Sequence, residues 1–384
     1  MEKKNRICAY KGDPVVPGVN KKKNGINFAV EVPGDTEASL VLYRKGAAEP
    51  ETEFPFTEEY RTGRMCAMLV TGLRPERYEY NFRIDGKIVQ DPFACVIRGR
   101  EKFGAPLSKD EHEVRCAFLS EKEYDWEGDT APEIPYSEMI LYKIHVRGYT
   151  RQAKLALRKR GTFAGLTEMI PYWKELGINA VELMPAYEFQ ECVQADHVVN
   201  LAVRKKSDDR INYWGYTRGF YFAPKESYCA TKEPDREFRD MIRALHKAGI
   251  ECIMEMYFPK GTLSLQMIRS LWFWKLYYHV DGFHLLGDGV QQDVIERDPI
   301  LYGTKKLFSN VSGEADAENM LAEYNAGFML DMRRFLKSDE GMISGAEFHV
   351  RRNTGNFGTV NYMAAQDGFT LYDTVSYNYR HNEA

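Results

Sequence analysis

Phe238-Arg239-Asp240-Met241-Ile242-Arg243-Ala244-Leu245-His246-Lys247-Ala248, followed by Gly249 and then by Glu251-Cys252-Ile253-Met254-Glu255-Met256-Tyr257-Phe258, reads as an amphipathic helix, a stop and a buried strand. Phe238, Met241, Ile242 and Leu245 share one helical face, and glycine suits the left-handed position past a helix end. The alternation continues downstream, with a helix over Leu265 to His279 and a strand over Gly282-Phe283-His284-Leu285-Leu286. Upstream, Met139 to Val146 is an apolar run of strand length. A helix opens at Phe163-Ala164-Gly165-Leu166 and reaches Leu176-Gly177, and Ala180 to Met184 is the next strand. Repeated β-then-α units predict an α/β fold with a parallel sheet and helices outside, and their number favours a (β/α)8 TIM barrel over an open sheet.

The chain before this region has a different texture. Ile26 to Val30, Ala38 to Tyr43, Met65 to Val70 and Tyr78 to Ile84 alternate with period two between turns, which predicts an immunoglobulin-like β-sandwich. Asp85-Gly86 is a hairpin signal. The stretch up to Pro135 is polar and proline-containing, so the organisation reads as a sandwich over 1–105, a linker over 106–135 and a barrel over 136–384.

At 384 residues the chain is long enough for two domains, and 44% hydrophobic with 28% charged residues is the composition of a globular protein. A net charge of −4 gives no basic footprint for nucleic acid. The charged start Met1-Glu2-Lys3-Lys4-Asn5-Arg6 is not a signal peptide, and no run approaches the length of a membrane span, so no membrane partner is expected. Seven cysteines without CxxC spacing fit reduced thiols and a cytoplasmic location. No nucleotide loop, metal cluster or flavin motif is visible, so neither a cofactor nor a metal is implied.

Several ordered segments resemble glycoside hydrolase family 13 of the α-amylase superfamily, in its isoamylase and pullulanase branch. They include His145-Val146-Arg147-Gly148-Tyr149-Thr150, Gly161-Thr162-Phe163-Ala164-Gly165-Leu166, the run from Ile170 to Pro185 and Asn212-Tyr213-Trp214-Gly215-Tyr216. Val280-Asp281-Gly282-Phe283, Asp298-Pro299-Ile300-Leu301, Asp367-Gly368-Phe369-Thr370-Leu371-Tyr372-Asp373 and His381-Asn382-Glu383-Ala384 follow in the same order. Gly25 to Val30, Arg61-Thr62-Gly63 and Gly72-Leu73-Arg74-Pro75 resemble the family 48 carbohydrate-binding module that precedes such barrels. The resemblance implies glycogen or starch debranching and an α-glucan partner.

The catalytic motifs are degenerate. Retaining cleavage of a glycosidic bond needs one carboxylate as nucleophile and one carboxylic acid as proton donor, about 5–5.5 Å apart. Where the family reads Asp-Gly-Phe-Arg-Phe-Asp on its fourth strand, this chain has Asp281-Gly282-Phe283-His284-Leu285-Leu286, so the nucleophile position is Leu286 and the arginine is His284. After the fifth strand, Thr304-Lys305-Lys306-Leu307-Phe308-Ser309 places Ser309 at the general acid, and a hydroxyl is too weak an acid for that step. Glu255-Met256-Tyr257-Phe258-Pro259-Lys260 replaces a motif that begins with aspartate and ends with a sugar-binding histidine. On the seventh strand the usual His-Asp is Gln366-Asp367. The substrate-binding set that the resemblance implies is Tyr216, Trp214, Asp367, Glu255, Lys260, His284 and Gln366, with Asp367 the retained stabilising acid.

Ordinary roles compete at each position. Asp288 could replace the nucleophile through a two-residue bulge, although Gly287 and Gly289 flank it as in a turn, and Glu314 could replace the acid from a polar loop. Tyr216 and Trp214 could serve packing, Asp367 a cap, His145 a bond to a backbone carbonyl, and Glu182 and Glu188 loop support. The sequence ends before an eighth strand, so the barrel is expected to be incomplete after its seventh strand. Three functions are carried forward: an inactive debranching relative that binds glucan, an active α-1,6-glucosidase using other carboxylates, and a regulatory or scaffolding subunit whose protein partner completes the barrel.

Overall fold

The computed structural model describes residues 6–379 apart from 107, 121, 193–210, 313–316, 353 and 367. Asp367, Glu314 and His381 to Ala384 lie outside the described residues. The chain divides into two compact units, one of 1–128, 150–166 and 186–241, the other of 129–149, 167–185 and 242–384.

The first unit holds the sandwich. Its strands are β1 (Cys8–Lys11), β2 (Gly18–Lys22), β3 (Gly25–Glu31), β4 (Ala38–Arg44), β5 (Pro50–Pro55), β6 (Arg61–Thr62), β7 (Met65–Thr71), β8 (Tyr78–Ile84), β9 (Lys87–Val89), β10 (Val96–Arg98) and β11 (Arg115–Ala117). One sheet runs β1-β7-β3-β2 with β6 on β7, and the other β10-β11-β8-β4-β5 with β9 on β8. Ile26, Phe28, Val30, Leu40, Leu42, Met68, Tyr80 and Phe82 belong to one core. All are even-numbered, as alternation along a strand requires. Asp85 at φ 50° and Gly86 at φ 72° close the β8–β9 hairpin, the positive angles that a tight two-residue turn demands.

The linker expected over 106–135 is corrected here. Arg115–Ala117 is β11, paired with both β8 and β10, so this polar stretch completes the sandwich. Its sequence hides the strand because Arg115 is buried with its charge met by the carbonyls of Ala47 and Ala48 and by Glu79. The remainder of the expected linker, 129–135, groups with the second unit.

The second unit holds seven parallel barrel strands: β12 (Leu141–Ile144), β13 (Ala180–Leu183), β16 (Glu251–Tyr257), β17 (Gly282–Leu286), β18 (Lys305–Phe308), β19 (Leu321–Tyr324) and β20 (Gly358–Val360), paired in that order. Between them in the chain, β14 (Tyr187–Phe189) and β15 (Gly219–Pro224) form an antiparallel pair within the first unit. The fold is therefore an incomplete TIM barrel following a β-sandwich. Helices α1 (Val146–Tyr149), α2 (Phe163–Thr167), α3 (Ile170–Glu175), α4 (Pro234–Lys247), α5 (Ser264–Tyr278), α6 (Gln292–Glu296), α7 (Ala326–Leu336) and α8 (Ile343–Arg351) lie between the strands in the chain, and α9 (Leu371–Ser376) follows β20.

Two expectations shift. The helix read through Leu176 is broken into α2 and α3, and Pro171, which has no N–H to continue the ladder, sits in the first turn of the second piece. The seventh strand is Gly358–Val360, so Gln366 lies beyond it in an irregular segment.

Candidate active site

Strand alternation decides what faces the barrel interior. Ile253, Leu307 and Ala322 form one apolar cluster, so inward positions are odd-numbered on β16 and β18 and even-numbered on β19. On β17, His284 meets side chains from other strands inside the barrel, which makes Leu286 inward as well. Leu286 ends β17, and Ser309 follows β18 directly, in phase with Leu307. Both positions that should carry the chemistry thus stand at the C-terminal strand ends, the working face of such barrels.

Asp288 does not reach the strand. The register of β17 against β16 and β18 is regular through Leu286, and Asp288 is exposed in a turn. Gly287 there has φ 96°, and a Cβ on Gly289 would lie 2.2 Å from the Pro259 carbonyl oxygen. The turn is sterically committed, which removes the bulge that would have moved Asp288 inward.

Below Leu286 the interior is filled by an ionic cluster. Lys143 of β12 pairs with Glu182 of β13 at 3.2 Å and with Glu255 of β16. His284 Nδ1 lies 2.8 Å from Glu182 Oε1 and 3.5 Å from Glu255 Oε1. Tyr324 of β19 donates its hydroxyl to Glu182 Oε2 and stacks on the His284 ring, centroids 4.1 Å apart and planes 5° off parallel. Both carboxylates have no exposed side-chain surface. Burial opposes charge on every member, yet Lys143 and then His284 hold Glu182 far below the usual carboxylate range. Glu182 in turn, with Glu255, raises His284 above its ordinary 6.5, and the two carboxylates raise Lys143.

Glu182 and Glu255 are close enough to invite a catalytic reading, since their ligand atoms and that of His284 fall within 4.8 Å of one another. The same three groups could hold a metal ion. Lys143 already supplies the positive charge between the two carboxylates, however, and an ion would have to displace it. For the same reason no glycosidic bond fits between them. Glu182, read from the sequence as loop support, is corrected to a barrel-interior ion-pair partner. Glu188 does support loops: it accepts from Lys225 Nζ at 3.0 Å and from the Glu226 amide at 2.9 Å. His145 accepts the Gly148 N–H at 3.0 Å through Nδ1.

The remaining expected residues are dispersed. Lys260 is exposed in the turn after β16, and Gln366 is exposed. Trp214 and Tyr216 lie together in the first unit, rings 6.2 Å apart at 69°, with Trp214 36% exposed. Between them Gly215 adopts φ 86°, and a Cβ there would sit 2.5 Å from the Phe189 ring. Gly215→Ala is expected to lower stability by about 1–3 kcal/mol and to disturb this aromatic pair, read by urea unfolding and tryptophan fluorescence. Unchanged unfolding would show that the loop simply relaxes.

No protein-family model matches the chain. A glycogen operon protein GlgX homolog of Haemophilus influenzae is 28% identical over 97% of this chain and 68% of its own length. Isoamylase 1, chloroplastic, of Arabidopsis thaliana is 26% identical over 100% of the chain and 63% of its own length. Pullulanase from Paenibacillus barengoltzii, in complex with maltohexaose and α-cyclodextrin, has the same fold with a TM-score of 0.70, at 19% identity over 95% of this chain and 69% of that one. The homologues of the chain are thus isoamylase, GlgX and pullulanase proteins, those of the debranching branch of glycoside hydrolase family 13. The chain spans about two thirds of the length of these debranching relatives.

The sequence by itself did not point to Lys143 and Tyr324. The available signal for Lys143 was a charged residue inside the short strand Leu141-Tyr142-Lys143-Ile144, which a buried parallel strand tolerates only with a partner. The cluster also sets a pH dependence. His284 is raised on folding, so its stabilisation is complete below about pH 6.5 and is lost as pH climbs through the folded value. Glu182 is depressed, so its contribution is complete above about pH 4.5 and is lost as pH falls through its folded value. The thermal midpoint is therefore expected to decline as pH rises above about 6.5, and His284→Gln to flatten that decline. Equal alkaline slopes in the two proteins would contradict the assignment.

Proposed function

We propose that this protein binds α-glucan through a debranching-enzyme scaffold and does not hydrolyse it. The observation that carries the reading is that Leu286 ends β17 and Ser309 directly follows β18, so the strand ends at which the resemblance expects a nucleophile and an acid carry a leucine and a serine. Support for the ligand comes from relatives named for glycogen and isoamylase, from the pullulanase held with maltohexaose and α-cyclodextrin, and from the Trp214 and Tyr216 rings. The N-terminal sandwich is read as a carbohydrate-binding module, and Asp367 as a retained sugar contact. Seven free cysteines favour a reducing compartment, the cytoplasm. Among the described residues no helix is long and apolar enough to cross a membrane.

Migration of the purified protein through gels with and without amylopectin tests binding, and retardation lost in Trp214→Ala is the expected result. Migration unaffected by amylopectin would remove the glucan half of the proposal. A scaffolding role is the second reading. It is favoured by Leu330, Leu336, Ile343, Phe348 and Val350 on α7 and α8, each more than half exposed, and by the outer edges of β12 and β20, which pair with no further strand among the described residues. Co-purification with a full-length debranching homologue, followed by mass measurement, separates the two.

A further inference from the structure

Arg151, Lys154, Arg158, Lys159 and Arg160 fall in one stretch, Thr150 to Leu166, that contains no acid, in a chain whose net charge is −4. The stretch follows β12 and α1 in the chain and belongs to the first unit. Solvated protein surfaces ordinarily intersperse charges of both signs. Here the segment supplies only one.

The stretch is a closed and internally bonded loop. Thr150 is fully buried, and its hydroxyl accepts the Gly161 N–H at 2.7 Å, which holds the two ends together. A Cβ on Gly165 of α2 would lie 2.0 Å from the Lys159 carbonyl oxygen, so the returning arm is pressed against that helix and only glycine leaves room for it. Within the loop the Ala153 N–H reaches the Thr150 carbonyl at 3.2 Å and the Leu155 N–H the Ala153 carbonyl at 2.8 Å. Arg160 Nε donates to the Leu155 carbonyl at 3.0 Å, and a 3-10 turn covers Leu157–Lys159. Residues 151–160 thus form an Ω-loop, a class that is frequently functional. Its shape is set before anything binds, which lowers the cost of ordering it in a complex.

What the loop turns outward is basic with an apolar tip. Arg151, Lys154 and Arg158 are exposed and make no ion pair or side-chain hydrogen bond with any described residue. Leu157, next to Arg158 in the 3-10 turn, is 80% exposed, and Ala156 before it is exposed too. The cations alone would suit any polyanion, and the leucine narrows the choice. A soluble phosphate polymer has nothing apolar for Leu157 to enter. A peptide lies along a groove or a sheet edge, and residues 151–160 contain no strand. An anionic bilayer surface answers both features, with headgroup phosphates for the cations and the acyl boundary beneath them for the leucine. Contact of this kind needs no spanning segment.

We propose that the loop of residues 151–160 docks this protein on an anionic lipid surface, with Arg151, Lys154 and Arg158 against the headgroup phosphates and Leu157 entering the acyl boundary. The attraction acts within a Debye length, about 10 Å at 0.1 M salt. Because the rest of the chain is acidic on balance, approach by this loop is favoured over approach by other faces. The docking owes nothing to the glucan reading above.

The test is cosedimentation of the full chain with vesicles of phosphatidylglycerol and, separately, of phosphatidylcholine at low salt. Binding to the first and not to the second is expected, and its loss at about 0.5 M salt. Arg151→Gln, Lys154→Gln and Arg158→Gln together lower the binding about a hundredfold, and Leu157→Ser lowers it about tenfold. The thermal midpoint is retained in both variants, because these side chains are exposed. Absence of sedimentation with phosphatidylglycerol overturns the proposal. So does binding that the triple variant leaves intact, because another face then carries it. Binding that Leu157→Ser leaves unchanged assigns the loop to a soluble polyanion, and tighter association with poly-L-glutamate than with the vesicles assigns it to an acidic protein. Either result overturns the lipid assignment.

Discussion

Lys143→Met is expected to destabilise the protein by about 3–5 kcal/mol, the range for breaking a buried ion pair by removing one partner. Methionine matches the aliphatic stem, so the loss is of charge and hydrogen bonds rather than of volume. Glu182 and Glu255 have no exposed side-chain surface, and the Lys143 ammonium contacts both. Without it, His284 is left to answer two carboxylates, 2.8 Å from one and 3.5 Å from the other. One of the acids must then take up a proton or the strands must part to admit water. Urea unfolding measures the loss. Adding Glu255→Gln to Lys143→Met should recover part of it, because the orphaned charge is then gone, and a double-mutant cycle gives the coupling. A Lys143→Met midpoint within about 1 kcal/mol of the parent would mean the cluster behaves as a solvated surface pair.

Glycogen, amylopectin and pullulan incubated with the protein are expected to release no reducing ends above the blank. Loss of a nucleophile alone lowers turnover by roughly 10⁶-fold where catalytic groups act as a unit. Leu286 has no lone pair for the anomeric carbon, and Ser309 cannot protonate a leaving oxygen at neutral pH. Asp288→Ala should change nothing, since Asp288 is exposed in a turn that two glycines hold. Leu286→Asp alone should also stay silent, with the acid still missing, whereas Leu286→Asp with Ser309→Glu tests whether two carboxylates at these strand ends suffice. Sugar release by the parent that disappears in Asp288→Ala would place the nucleophile there and end the inactive reading.

Much of the scaffold was legible because period and punctuation carry it. The helix ending at Gly249, the strand from Glu251 and the hairpin at Asp85-Gly86 all appear where local pattern puts them. Elements that depend on distant partners were not. β11 hides in a polar stretch because its arginine is neutralised by residues far away in the chain. β19 and β20 are only four and three residues long, too short for a period to declare itself. The break between α2 and α3 needed the steric rule for Pro171 to outweigh a continuous apolar face.

The division at the site follows the same physics. Residue identity alone determined that positions 286 and 309 hold a leucine and a serine, and no folding can lend either the chemistry of a carboxylate. Only the tertiary structure decided what the surviving charges do. Glu182, Glu255, His284, Lys143 and Tyr324 come from five different strands, and Coulomb attraction in a water-poor interior becomes strong only when such groups are brought within a few ångströms. The same holds for Glu251 and Lys305 at the far end of the barrel, which meet at 2.7 Å only once their strands have closed.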